Sequence, residues 1–224
     1  GLGGKSLCYE QCTHVPMIIY NPLLPKSARG KVSNELVQTI DLSATMLAYA
    51  GIEIPKGFQG KDLSGIVAGT QQKVHNYIFT ENLWSTHFGN PRCEAVQDKE
   101  WKYIRYYKNE NPSANQEIQV AKDLGIPVNK MLYSVHDPEI ALYRSYVESP
   151  VNGEEAVYEE LYHLSTDHEE VTNLIADKKY SGELKILREQ WAILIKEARG
   201  TEKPKVLRYT ADSMLEKYGI VKNE

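Results

Sequence analysis

Four aromatic and β-branched runs constrain this chain most: HNYIFTENLW at 75–84, CEAVQD at 93–98, WKYIRYY at 101–107 and YEELYHL at 158–164. Turn residues Gly89, Asn90 and Pro91 separate the first pair, and Asp98, Lys99 and Glu100 the second. Short runs of this composition between turn signals predict an antiparallel meander. Near the C-terminus, Tyr180, Leu184, Leu187, Trp191, Leu194 and Ile195 recur at helical spacing, with Lys185, Glu189 and Lys196 between them. That stripe predicts a helix laying one apolar face on the sheet. Its polar face mixes acid and base without a basic cluster, which disfavours a membrane-surface helix.

The N-terminal third has a different pattern. VPMIIY at 15–20, before Asn21-Pro22, is a continuous apolar run and predicts a strand buried on both faces. From Val32 onward, Leu36, Ile40, Ala44, Leu47 and Ala48 recur at helical steps, with Asp41 or Ser43 as an alternative helix start and Gly51 as its end. KDLSGIVAG then predicts a short helix terminated by Gly69. The expected organisation is the end of an α/β domain over 1–72, an antiparallel-sheet subdomain over 73–200, and a tail over 201–224. A polar insertion at 108–157, with helical pieces at 115–124 and 138–147, interrupts the sheet and is expected to elaborate the surface.

Composition narrows the function classes. The net charge of −4 and the absence of any block of like charge leave no basic footprint for nucleic acid. No apolar stretch approaches the ~20 residues of a membrane span, and the first twenty residues lack the pattern of a secretory signal. Cys8, Cys12 and Cys93 are too few for a disulfide framework. Cys8, Cys12 and His14 fall short of the four ligands a structural zinc requires. The glycines and lysine of GLGGKSL read as the end of a loop, so the chain is expected to begin within a larger domain.

Several motifs carry a family resemblance. They are Gly4-Lys5, Tyr9-Glu10 and His14-Val15-Pro16-Met17-Ile18-Ile19, then DLSATML at 41–47, AGI at 50–52 and GFQGKDL at 57–63. Trp101-Lys102-Tyr103-Ile104 follows, and then ELYHL at 160–164 with Asp167, Glu170, Asn173 and Leu174. In this order they resemble the sulfatases of the alkaline-phosphatase superfamily. The resemblance implies the C-terminal remainder of an alkaline-phosphatase-like α/β domain, followed by a small antiparallel sheet of about four strands packed by a C-terminal helix. It also implies a sulfuric ester hydrolase acting on sulfated carbohydrate, in the periplasm or secreted. The chain departs from the family pattern at Ala44 for proline, Gln97 for arginine, His163 for aspartate and His168 for proline.

The family's nucleophile lies in C/S-x-P/A-x-R, and no cysteine or serine here has that surrounding sequence. By resemblance, the formylglycine made from that residue and the calcium that accompanies it belong to an N-terminal half expected as the partner. This chain is then expected to carry no cofactor and, alone, no turnover. Lys5 matches the family lysine that contacts sulfate, where an ammonium neutralises an anionic oxygen. His14 precedes the apolar run, and a histidine packed and bonded to backbone is favoured there over a general acid or base. Trp84, His87 and Arg92 combine aromatic, imidazole and guanidinium groups in an inter-strand loop and are candidates for gripping a sugar. Trp101, Tyr103, Tyr106 and Tyr107 read as core packing in preference to a stacking platform. Asp167, Glu169 and Glu170 read as acids favouring a helix N-terminus at 171–176 in preference to a metal cluster. Two alternatives remain: a phosphoric-ester or phosphonate hydrolase of the same superfamily, and a non-catalytic anion- or sugar-binding module.

Overall fold

In a computed structural model, described over residues 7–82, 92–107 and 155–199, the aromatic runs form one four-stranded sheet. Its strands are β1 (Ile78–Asn82), β2 (Arg92–Gln97), β3 (Trp101–Tyr107) and β4 (Tyr158–His163), in sequential order. β1 pairs antiparallel with β2, Phe79 opposite Val96, and β3 pairs antiparallel with β4, Tyr103 opposite Leu161. The turn between β2 and β3 is made by Asp98, whose carboxylate accepts the amides of Glu100 and Trp101 at 2.8 and 2.7 Å. A short acidic side chain can do this because it reaches the backbone two residues ahead. One compact unit, Gly1–Asn82, Cys93–Tyr106 and Val157–Ala198, holds nearly all described residues; a second holds the strand ends Arg92 and Tyr107. The helical pieces expected at 115–124 and 138–147, and the tail at 201–224, lie outside the described residues.

Alternation along the strands divides the core in two. One face gathers Cys8, Cys93, Ala95, Ile104, Tyr106 and Tyr162, with Leu7, Tyr9 and Leu164 packed against them. The other gathers Val96, Tyr103, Leu161 and Leu187 beneath Trp191, Leu184, Leu194 and Tyr180. The second face is covered by the expected helix, α4 (Ser181–Arg199); the labels α1 to α3 fall to the shorter helices at Glu10–Thr13, Asp41–Tyr49 and Ser64–Ala68. The Trp191 indole N–H donates to the buried Glu94 carboxylate at 2.7 Å, and the Arg105 guanidinium lies 3.6 Å from the Trp191 ring centroid. Trp101, Tyr103 and Tyr106 are therefore core residues, and His163 stacks on Trp101 at 4.2 Å.

β4 is protected on its far side by Asn173. Its side-chain oxygen accepts the Leu161 amide at 3.0 Å and its amide group donates to the Glu159 carbonyl at 3.2 Å, while the Leu174 amide bonds the Leu161 carbonyl. These bonds occupy backbone groups that an edge strand would otherwise expose.

Two N-terminal expectations are corrected. Residues 15–20 form no strand; Ile18 and Tyr20 are 91% and 85% exposed. A strand buried on both faces needs neighbours on both sides, and no described strand pairs with this run. The helix expected from Val32 begins instead at Asp41, and Leu36 lies in irregular chain. The alternative start at Asp41 holds: that carboxylate, wholly buried, accepts the Gln38 amide at 2.7 Å and so fixes the chain entering the helix, while capping none of the helix's own amides.

Asp41 also accepts the Lys61 amide at 2.8 Å and pairs with His75 at 2.9 Å. It thus joins α2, the 58–62 loop and the approach to β1. Thr45 extends the junction, donating to the Asp41 carbonyl and accepting the Leu63 amide. Burial opposes ionisation of Asp41, but the His75 bond and the two amides outweigh it and hold the carboxyl below its ordinary value of 3.8. A lowered folded-state value contributes stability that is present above the ordinary value and lost as pH falls through the folded one. Asp41→Asn should therefore cost about 2 kcal/mol at neutral pH and flatten the loss of stability below pH ~4. Urea midpoints measured across that range check this; parallel wild-type and variant profiles would refute it.

Candidate functional site

The short helix α1 (Glu10–Thr13) and the residues before it lie on the sheet face opposite α4. Buried polar groups hold this segment in place. The Tyr9 hydroxyl meets both Glu160 carboxylate oxygens at 3.0 Å, and the Tyr106 hydroxyl donates to the same carboxylate at 2.7 Å. Tyr106 and Tyr9 are themselves 3.1 Å apart. Burial pushes the Tyr106 phenol far above its ordinary value, and its bonds to Tyr9 and Glu160 push the same way. Tyr9 is raised by burial as well, so both phenols are donors and neither is a base.

Beside Glu10, the residue after Tyr9, Lys102 projects from β3 with no exposed surface. Its ammonium lies 2.7 Å from Glu10 Oε1, 3.4 Å from Glu170 Oε1 and 3.5 Å from Thr13 Oγ1. Glu170 in turn accepts the Glu10 backbone amide at 2.6 Å. Burial works against ionisation of Glu10, but the charge and hydrogen bond of Lys102 overcome it and keep the carboxyl low. At Glu170 burial prevails and the carboxyl is raised, with the Glu10 charge adding to the effect. Glu170 also sits at φ 53°, a left-handed conformation unusual outside glycine. The turn around it is fastened by Asp167, whose carboxylate accepts the amides of Val171 and Thr172 at 3.0 and 2.8 Å.

The reading of Asp167, Glu169 and Glu170 as acids at a helix N-terminus is corrected accordingly. No helix forms at 171–176; Asp167 caps a turn and Glu170 faces a buried lysine. His14 is corrected too. It is neither packed nor bonded to backbone through its ring; the ring is 69% exposed and lies 3.2 Å from Glu10 Oε2. With Gln11, His168 and Glu169 it lines a shallow recess of about 200 Å³.

Lys5, Trp84 and His87 lie outside the described residues, and Arg92 is described only as the first backbone position of β2. Sequence reasoning missed Tyr9, Glu10, Lys102, Glu160 and Glu170 as one assembly. The signal was Lys102 itself, a charged residue in an aromatic strand, at a position facing the same side as Ile104 and Tyr106. Such a lysine is buried only if paired.

The calcium and formylglycine implied by the resemblance do not fit the described residues. Among them, no group of three or more His, Cys, Asp or Glu is placed to hold a metal. The buried carboxylates are committed: Glu10 and Glu170 to Lys102, Glu160 to the tyrosines, Glu94 to Trp191 and Asp41 to His75. Cys93, with Ala95 at +2 but Gln97 at +4, is enclosed within β2. No step through either group is assigned to this chain. What the assembly can do is fix the backbone that follows Lys5 in sequence.

Comparison with known proteins agrees with this frame. An arylsulfatase of Clostridium perfringens is 25% identical over 199 residues, covering 88% of this chain and 30% of the relative. Arylsulfatase K of Xenopus laevis is 29% identical over 110 residues, covering 46% of this chain and 20% of the relative. N-acetylglucosamine-6-O-sulfatase of Bacteroides thetaiotaomicron is 25% identical over 115 residues, covering 47% and 19%. The chain thus spans less than a third of the length of these curated relatives. The model of the family described as N-sulphoglucosamine sulphohydrolase, C-terminal, matches residues 1–123. That match includes Lys5, the Tyr9-Glu10 anchor, the Asp41 junction and the Lys102 strand, and by it the chain belongs to the N-sulphoglucosamine sulphohydrolase C-terminal family of sulfatases.

Proposed function

We propose that this chain is the C-terminal part of a sulfatase that hydrolyses sulfate esters of carbohydrate. The observation that carries the reading is the buried assembly of Tyr9, Glu10, Lys102, Glu160 and Glu170. It fixes the main chain a few residues after Lys5, the residue that the resemblance assigns to sulfate contact. A cationic group aids sulfate-ester cleavage only if held where charge develops on the anion or leaving oxygen. The names of relatives support a carbohydrate substrate, since one acts on the 6-O-sulfate of N-acetylglucosamine. Trp84, His87 and Arg92 are proposed to contact the sugar. The domain limits 1–72, 73–200 and 201–224 belong to the same reading, as does a periplasmic or extracellular location. Among the described residues no helix is long and apolar enough to cross a membrane.

The exposed apolar run that includes Val15, Ile18 and Tyr20 is proposed to join the sheet of an N-terminal half, which also supplies nucleophile and calcium. The 224 residues alone are then inactive. The test is release of inorganic sulfate from 6-O-sulfated N-acetylglucosamine by the protein at its full natural length. Release of phosphate from the matching phosphate ester is measured beside it. Sulfate release that falls on Lys5→Ala is expected. Release of phosphate alone, or sulfate release by the 224-residue chain, would overturn the proposal.

A further inference from the structure

Two of the three cysteines meet inside the sheet's first core, although 85 positions separate them. Cys8 Sγ lies 3.5 Å from Cys93 Sγ, and both residues are almost wholly buried. The Cys8 thiol also lies 3.8 Å from the Thr80 carbonyl and 3.9 Å from the Cys93 carbonyl, so it faces β1 and β2 from the N-terminal segment. Cys12 stands apart in α1 and is only partly buried.

We propose that Cys8 and Cys93 are a disulfide-forming pair, oxidised during folding, which fastens the segment following Lys5 to strand β2. The geometry requires little adjustment, because a bonded pair has sulfurs ~2.05 Å apart and side-chain rotation supplies displacements of this size. The oxidant is a disulfide, either a small one such as oxidised glutathione or the active-site disulfide of a thiol oxidoreductase. The Cys93 thiolate attacks one sulfur of the oxidant and expels the other as a thiolate, giving a mixed disulfide. Cys8 then loses its proton and attacks the Cys93 sulfur, and the second thiolate leaves. Two S–H bonds are lost and one S–S bond is gained; the two electrons and two protons end on the oxidant as two thiols. The thiols differ in the sense this order needs. The hydrogen bond from Cys8 lowers Cys93, while that bond and burial raise Cys8 well above its ordinary value.

The pair is distinct from the buried cysteines that serve only as small apolar side chains, because it closes a loop of about 85 residues, and long loops give a cross-link its greatest effect on the unfolded chain. This inference does not depend on the hydrolase reading. It is tested by refolding the full-length protein in a glutathione redox buffer, quenching with iodoacetamide and measuring intact mass and non-reduced peptides. The expected result is the Cys8 and Cys93 peptides joined through a bond that lacks two hydrogens, with Cys12 carrying one carbamidomethyl group. Reduction should lower the thermal midpoint by ~10 °C, and Cys8→Ser/Cys93→Ser should abolish that sensitivity while Cys12→Ser leaves it intact. Alkylation of both Cys8 and Cys93 in the refolded wild type, or a cross-link to Cys12, would overturn the proposal, and neither result requires any variant to fold.

Discussion

Lys102→Met should lower stability by about 3–5 kcal/mol, the range found when one partner of a buried ion pair is removed. Methionine retains an unbranched, flexible stem, so the core loses little volume. What it loses is the cation 2.7 Å from Glu10 and 3.4 Å from Glu170. Two carboxyl groups are then left buried together, and the folded state favours a proton on one of them. In that variant their folded-state values stand above the ordinary carboxylate value. Stability is therefore retained below that value and declines as pH rises through the folded one. The deficit should accordingly be larger at pH 8 than at pH 5 when urea midpoints are compared. Glu10→Gln/Lys102→Met/Glu170→Gln should recover much of it, because all three charges are removed together. A single Lys102→Met variant within 1 kcal/mol of wild type at pH 8 would show that the lysine is hydrated and the assembly loose.

Gly60→Ala is expected to cost about 3 kcal/mol for a purely steric reason. A Cβ at Gly60 would lie 2.0 Å from the Ile40 carbonyl oxygen and 2.6 Å from its carbon, both backbone atoms at the start of α2. No side chain can rotate to make room. One segment must move, and the Lys61 amide next to Gly60 would be drawn away from Asp41 as it did. Gly57 supplies the control, since a Cβ there meets nothing within 4 Å. Gly57→Ala should be neutral or slightly stabilising through the unfolded chain. Thermal midpoints should separate the two variants by roughly 6–12 °C for a domain of this size; equal midpoints would refute the close approach.

Much of the frame was legible in residue order. The strands at 101–107 and 158–163 and the helix at 181–199 were readable because side-chain period and turn chemistry are local properties. Asp41 was readable as a helix start for the same reason. The run VPMIIY was misread because its apolarity records a need for burial but not what buries it. The position of His14 beside an apolar run does not reveal its environment, because the ring at the end of α1 lies toward Glu10 and solvent. Of the assembly built on Lys102, the sequence supplied every member of the Tyr9-Glu10, Lys102 and Glu160–Glu170 motifs but none of their contacts.

The sequence by itself determined the antiparallel sheet and the covering helix, because each depends on spacing along the chain, and its ordered motifs carried the resemblance to the family. Only the tertiary structure decided that Glu10, Lys102 and Glu170 share one buried site and that Cys8 touches Cys93, across separations of 92 and 85 residues for the Lys102–Glu10 and Cys8–Cys93 contacts. Pairing at that range is set by strand register and by which face each side chain takes. Neither is encoded in any local window.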